Sequence, residues 1–234
     1  MLTLALDTVT DRAGVVIAEG GEVIFKQTLG YKRHAADLVV AVRDGVEKHK
    51  AEMKDITSVI LADGPGSFTG IRIGIATVQG ILADHEAAFR TAPSLKAQCY
   101  AASSSDLPVL AIYDALRGEC FGAAYSFRQG KAVEILKPTL GTPDQILKAC
   151  KSDRLLIVGP GLSAHRAAFE ASGAVDPDRI AEGSQLAEML VRLDSVADGL
   201  TAVSDHRSWK PNYGRLAEAQ VRWEKEHGRP LGHS

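Results

Sequence analysis

Several whole classes of protein are closed to this sequence by what it lacks. It holds only three cysteines, Cys99, Cys120 and Cys150, scattered and without metal-binding spacing. Neither a disulfide framework nor a cysteine-held metal is predicted from them. Charge of one sign is not in excess, with 27 basic against 29 acidic residues and a formal net charge of −2. That balance carries no electrostatic footprint for nucleic acid, so any work on RNA would need another protein to grip the RNA. No apolar run approaches the roughly 18 residues that a membrane-spanning helix takes, and no membrane contact is expected. The first residues show no basic stretch followed by a long apolar one. They do not read as a signal peptide, and a reducing cytoplasm is the expected location.

Familiar catalytic signatures are also missing. No His-x-x-x-His occurs, and the seven histidines (His34, His49, His85, His165, His206, His227 and His233) form no ligand pattern. No metal site is therefore predicted. Gly66-Ser67-Phe68-Thr69-Gly70 places its serine one position away from the Gly-x-Ser-x-Gly nucleophile motif. No lysine follows Gly70, so the phosphate-gripping ammonium of a Walker A loop is absent. No nucleophile with a nearby base can be defended.

What is present is an ordinary globular balance, 45% hydrophobic and 24% charged over 234 residues. That suffices for one large domain or two lobes. Hydrophobic periodicity predicts strands at 2–7, 14–18 and 23–29, a helix at 33–50, a buried strand at 59–62 and a helix at 71–83. The same order then returns: strands at 109–113, 120–127 and 132–137, a helix at 143–149, a strand at 155–158 and a helix at 163–171. Two landmarks repeat with it. Asp7 and Asp114 each end a first strand, and Gly64-Pro65-Gly66 and Gly159-Pro160-Gly161 each join a buried strand to a helix. The expectation is an α/β fold of two duplicated lobes with mixed sheets, since hairpins precede the crossover helices. The small polar run 101–105 suggests a boundary, giving a first lobe at 1–104 and a smaller second lobe at 105–204. The polar tail, 205–234, is expected to be partly disordered beyond Glu224 or to pack back on the first lobe.

The sharpest local signal is Gly64-Pro65-Gly66-Ser67-Phe68-Thr69-Gly70-Ile71-Arg72-Ile73-Gly74. A strand, a glycine loop and a helix N-terminus together favour a bound anion, and Ser67 or Thr69 can cap the helix. The competing reading is that the glycines serve only close packing of helix on strand. Asp7 and Asp114 divide similarly. A strand-end carboxylate can hold magnesium-nucleotide or activate water, or simply cap a turn. The pairing of the two resembles the actin, hexokinase and Hsp70 superfamily. In that superfamily glycine usually follows the aspartate, whereas Thr8-Val9-Thr10-Asp11 has none. Asp7, Gly64, Gly66, Ser67, Thr69, Gly70 and Asp114 thus read as a vestigial nucleotide or phosphate site.

The run from Gly64 to Gly74 resembles the signature of the TsaB (YeaZ) family. Leu6-Asp7-Thr8, His34 at the start of the first long helix, Asp114-Ala115-Leu116-Arg117-Gly118-Glu119 and Pro211-Asn212-Tyr213-Gly214-Arg215 agree with it. Leu116, where arginine is usual, and Gly214, where an apolar residue is usual, depart from the pattern. The resemblance implies a fold of duplicated actin/Hsp70-like (RNase H-like) lobes and a pseudoenzyme with no cofactor of its own. It implies a partner, a TsaD-type paralogue, that carries the chemistry of threonylcarbamoyl transfer to tRNA, with threonylcarbamoyl-adenylate as donor. The target is the adenosine beside the anticodon in tRNAs reading codons that start with A. A TsaE-type ATPase completes the bacterial assembly, and tRNA is met only through the complex. TsaD-like proteins hold their metal with two histidines one helical turn apart; here His34 is followed four residues later by Leu38.

Helical spacing points to where the partner would sit. Ile71, Ile75, Val78 and Leu82 form one apolar stripe for the chain's own sheet, and Ile73, Thr77 and Ile81, flanked by Gly74 and Gly80, form a second. In the first helix Ala35, Leu38, Val42 and Val46 form a core stripe, with His34, Leu38, Ala41 and Gly45 as an adjacent face. A helix apolar on two faces needs cover on both. The resemblance implies that these two helices pack against the equivalent pair of TsaD. Without that partner the same surface is expected to pair with a second copy, as a homodimer. Two other functions remain open on the residues alone. One is an autonomous ATP-dependent small-molecule kinase with Asp7 and Asp114 flanking magnesium-ATP. The other is a metallopeptidase, which the missing metal motif makes remote.

Overall fold

The computed structural model describes residues 1–30, 34–83, 86–152, 154–170, 174–176, 180–181, 183–211 and 213–214, and side chains at all of these except 34–36 and 174–175. Two mixed sheets organise them. The first has the order β11-β5-β4-β1-β2-β3 and the second β10-β9-β6-β7-β8. In the first, β1 (Leu2–Asp7), β2 (Gly14–Glu19) and β3 (Glu22–Thr28) form an antiparallel meander. The chain crosses through α1 (His34–Lys48) to β4 (Ile56–Ala62), which runs parallel to β1. It then crosses through α2 (Phe68–Leu82) to β5 (Ala88–Ala92), parallel to β4.

The second sheet repeats every step. β6 (Val109–Asp114), β7 (Cys120–Arg128) and β8 (Lys131–Gly141) are the meander. Helix α4 (Pro143–Cys150) leads to β9 (Leu156–Val158), and α5 (Leu162–Glu170) leads to β10 (Ala174–Val175). The order β3-β2-β1-β4-β5 is thus matched by β8-β7-β6-β9-β10. The duplication predicted from two tripeptides and an element order is a duplication of the whole lobe.

Strand alternation explains the layers. Along β1, Leu4 and Leu6 point to the side covered by Leu38, Val42 and Val46 of α1 and Val78 and Leu82 of α2. Ala5 points to the other side, where Leu186, Ala187 and Leu190 of α6 (Ser184–Leu193) lie. A period of two on a sheet buried on both faces needs apolar residues throughout, and β1 is buried along most of its length. The second sheet does the same. Ala111, Tyr113 and Phe121 meet Leu95 and Cys99 of α3 (Ser94–Tyr100). Leu110 and Ile112 meet Ile146 of α4 and Phe169 of α5. Helix α4 starts cleanly because Thr142 and Gln145 form a capping box and Pro143 occupies the first helical turn.

The lobe boundary differs from the sequence expectation. The interval 105–204 is not one lobe, because α6 and β11 (Thr201–Val203) return to the first. β11 pairs antiparallel with β5, and the apolar face of α6 covers the first sheet. The physical reason is that α1 and α2 both lie on one face of that sheet. Its other face would stay wet without a helix supplied from later in the chain. The expected disorder of the tail beyond Glu224 lies outside the described residues.

Candidate functional site

Two of the concave surfaces among the described residues bear on the residues singled out in the sequence, a groove on the outer face of the first lobe and a cleft between the lobes. The groove runs between α1 and α2 and has a volume of about 310 Å3, lined by Val39, Val42, Met53, Ala76, Thr77, Gly80 and Ile81. Its walls are nearly all carbon. Thr77 turns its hydroxyl back onto the Ile73 carbonyl at 2.9 Å, the satisfied arrangement for a hydroxyl inside a helix. Gly80 has no atom within 4 Å of where a side chain would begin, so it opens the floor. Val39, at 58% exposure, and Val40, at 43%, continue the apolar surface beyond the groove.

Of the residues expected on this face, Thr77, Gly80 and Ile81 line the groove, and Ile73 packs half-buried against the core. Leu38, Ala41, Gly45 and Gly74 do not offer a surface and are corrected here. Leu38 and Ala41 are buried. A Cβ on Gly45 would stand 2.6 Å from the Phe25 ring, and one on Gly74 would stand 2.5 Å from Thr8 Oγ1. These four residues seat the helices on their own sheet. The His34 side chain lies outside the described residues. Val39, Val40, Met53 and Ala76 were missed. The adjacent valines, one step off the core stripe of α1, were the available signal.

The cleft has a volume of about 510 Å3. Its walls are Val9, Thr10 and Asp11 from the β1–β2 turn, Gly66, Ser67 and Phe68 from the glycine loop, Tyr113 to Leu116 and Phe121 from the second sheet, and Pro160, Gly161 and Ser163. Of the two strand-end aspartates, only Asp114 reaches it. The Asp114 carboxylate accepts the Leu116 N–H at 3.0 Å and pairs with His165 Nε2 at 3.0 Å. Asp7 is fully buried instead. It accepts the N–H groups of Val9 at 2.9 Å, Thr10 at 3.4 Å and Gly183 at 3.0 Å, together with the Thr10 hydroxyl. The turn-capping reading therefore describes Asp7. Its bonds tie the β1–β2 turn to the residue that opens α6.

The glycine loop is explained by packing in the same way. A Cβ on Gly66 would lie 2.6 Å from the Val9 carbonyl oxygen, and one on Gly70 would lie 1.8 Å from that of Thr8. The Ser67 N–H donates to Val9 O at 2.9 Å, and the Gly70 N–H donates to Ser67 Oγ at 3.1 Å, which caps α2. Gly64 sits at φ +101°, where glycine carries no Cβ penalty, and its carbonyl accepts from Ser94 N at 2.8 Å. Thr69 is exposed in the first turn of α2. The second copy repeats the device. Gly161 donates to Ile112 O at 2.9 Å, and a Cβ on it would meet the Asp114 nitrogen at 2.7 Å. The Ser67, Gly70 and Gly161 N–H groups are thus already bonded within the chain, and the described lining residues include two carboxylates and no basic side chain. Among the described residues no three His, Cys, Asp or Glu side chains converge as a metal site.

Burial raises the Asp7 carboxyl to about 6 against the pull of its hydrogen bonds, and burial likewise raises Asp63 to about 6. A carboxyl raised on folding contributes stability fully below its unfolded value near 3.8, and that contribution is lost as pH rises through about 6. Asp7→Asn keeps the shape but turns one acceptor arm into a donor facing other donors. It is expected to lower stability by about 1–3 kcal/mol at neutral pH and to flatten the decline between acid and neutral pH. Denaturant unfolding at both pH values checks both effects.

A duplicated α/β lobe, each copy a three-stranded meander followed by two helix–strand crossovers, with a glycine loop and Asp114 at the cleft between the copies, defines the class by its fold. A family model described as TsaD, tRNA N6-adenosine threonylcarbamoyltransferase, matches residues 22–181. The chain is 24% identical over 230 residues to the tRNA threonylcarbamoyladenosine biosynthesis protein TsaB of Bacillus subtilis, covering 95% of this chain and 98% of that protein. It is 32% identical over 127 residues to TsaB of Escherichia coli, 53% of this chain and 55% of that protein. The solved structure of YeaZ from Pseudomonas aeruginosa superposes with a TM-score of 0.74 at 22% identity, over 90% of this chain and 100% of that one. The chain belongs to the family that the matching model describes and, within it, to the TsaB (YeaZ) members.

Proposed function

We propose that this chain is the non-catalytic scaffold and activator of a TsaD-type enzyme in the formation of N6-threonylcarbamoyladenosine in tRNA. The observation that carries the reading is the apolar groove between α1 and α2, left uncovered by the described residues of the chain itself. A helical partner filling it would bury Val39, Ala76 and Ile81, each large aliphatic side chain contributing roughly 1.5–3 kcal/mol before ordering costs. The names of the relatives supply the pathway, and the matching family description supplies the chemistry of the partner.

Three features support a role without chemistry of its own. The Asp7 carboxylate is committed to the β1–β2 turn, the glycine loop is packed on Thr8 and Val9, and the described cleft residues would repel a polyphosphate. Metal and ATP chemistry then belong to the partners, with a TsaE-type ATPase completing the assembly and tRNA bound through the complex. The modified base is the adenosine beside the anticodon in tRNAs reading codons that start with A. Alone, the chain pairs through the same groove with a second copy.

The test is tRNA modification by the purified TsaD-type partner with donor supplied, with and without this chain. Activity that requires this chain, with no ATP turnover by the chain alone, is the expected result. Activity independent of the chain, together with ATP turnover by it, would overturn the reading in favour of an autonomous kinase.

A further inference from the structure

The two lobes share one helix. In α3, Leu95 and Cys99, one turn apart, pack with the second sheet, and Ala97 packs with the residues of α6 that cover the first. Lys96 falls between these two faces on the helical wheel. Beside it a segment of the first lobe reaches across to the second. Residues 194–200 join α6 to β11 and meet the β7–β8 turn. The Ala197 N–H donates to Gly130 O at 2.8 Å, and the Ala132 N–H donates to Ala197 O at 2.9 Å. Lys96 Nζ donates to Asp198 O at 2.9 Å and to Gly199 O at 3.3 Å. The Tyr125 ring, on β7, lies 5.3 Å from the same ammonium. Lys131 pairs with Asp198 at 3.3 Å. The cleft is at the other end of β7, where Phe121 is a wall. From Phe121 to Arg128 the strand runs roughly 23 Å, at about 3.3 Å per residue.

Which of these contacts holds the lobes follows from exposure. The side chains of the Lys131–Asp198 pair are 58% and 67% exposed, so water screens the pair and it contributes little. Lys96 is half-buried, and burial pulls its ammonium below the usual lysine range. An ammonium kept there depends on charge-assisted bonds to acceptors, and the two carbonyls it bonds belong to the crossing segment. The segment in turn is bent to present them. Asp198 sits at φ +60°, a region that residues with a Cβ seldom adopt, and a Cβ on Gly199 would stand 2.0 Å from Leu193 O. The chain itself crosses between the lobes through α3 and again ahead of α6. A third attachment opposes rotation about an axis through those two, the kind of motion by which lobes close on a ligand.

We propose that segment 194–200, pinned by Lys96, is a clasp that holds the two lobes as one rigid body and keeps the interlobe cleft at a fixed width. Released from it, the lobes would keep their own sheets and cores and turn about the two crossings. This goes beyond the scaffold role and does not rest on it.

The test reads the distance between the lobes in the full chain. The native cysteines are buried, and burial pushes their thiols up, Cys120 to about 12 and Cys150 to about 11. Spin labels therefore attach selectively at Lys48→Cys on α1 and Lys148→Cys on α4, both exposed positions. Labelled chain is diluted in excess unlabelled chain, so that only distances within one copy are read. Double electron–electron resonance is expected to give one narrow distance distribution. Lys96→Met, which keeps close to the length of the side chain and removes its donors, should widen it about twofold. Asp198→Asn, which removes the exposed ion pair and keeps the carbonyls, should leave it narrow. A broad distribution in the parent overturns the proposal, as does a narrow one in Lys96→Met or a broad one in Asp198→Asn. A second measurement needs no labels. Amide hydrogen exchange at Ala132 and Ala197 is expected to quicken about tenfold in Lys96→Met while β1 and β4 keep their rates, as for a local opening. Unchanged rates overturn the proposal. A rise shared by β1 and β4 overturns it too, because Lys96 would then serve overall stability.

Discussion

A Gly80→Glu chain is expected to fold about as well as its parent and to lose its TsaD-type partner. Gly80 lies in the last turn of α2 with nothing within 4 Å of its missing side chain. Glutamate is favoured over glycine by about 0.5 kcal/mol in helix propensity, which the helix dipole offsets at a C-terminal turn, so stability should change little. The new carboxylate would stand in a groove lined by Val39, Val42, Met53, Ala76, Thr77 and Ile81. Docking an apolar helix over it leaves a charge without water or counter-ion, at a cost of several kcal/mol. A loss of at least about 100-fold in affinity follows, measurable by calorimetry or co-elution, with tRNA modification falling in parallel. Unchanged affinity in a stable variant would move the partner away from this groove.

The opposite outcome is expected ten residues earlier in the same helix. Gly70→Ala should lower stability by on the order of 4 kcal/mol, at the severe end of single substitutions. Propensity alone predicts the reverse, since alanine is favoured over glycine in a helix by about 1 kcal/mol. The added methyl would sit 1.8 Å from the Thr8 carbonyl oxygen, and backbone on both sides of that contact is fixed. Thr8 follows Asp7, whose carboxylate is bonded to Val9, Thr10 and Gly183. Ser67 is bonded to Val9. Relief would have to break one of these bonds. Thermal unfolding of Gly70→Ala beside Gly80→Ala separates the two effects, because the second has propensity without the clash and should be stabilised.

The contrast between Gly70 and Gly80 marks how far the sequence could be read. Both glycines were visible as glycines in an apolar helix. Whether one is empty for its own sheet or for a partner depends on the neighbour it faces, and Thr8 is distant in sequence. The same limit divided the face expected for α1. The stripe of Leu38, Val42 and Val46 was legible because core spacing repeats. Ala41 and Gly45 were assigned outward only because they were small, and smallness serves close packing on β2 and β3 equally well. Asp7 and Asp114 show it again. Identical positions in the repeat have different fates, since Asp7 finds Gly183 above it and Asp114 finds His165.

Local periodicity and turn chemistry, read from the sequence alone, determined the two duplicated lobes, their hairpins and the crossover helices, while the resemblance to TsaB proteins rested on the run from Gly64 to Gly74. Those signals act over a few residues and survive in a one-dimensional string. Only the tertiary structure decided that α6 and β11 belong to the first lobe, that Asp7 is locked into a turn, and that the open surface of α1 runs through Val39 and Val40. Each of these depends on contacts between distant parts of the chain. Such contacts are set by which sheet face remains uncovered after the local elements have formed, a quantity that no window of sequence contains.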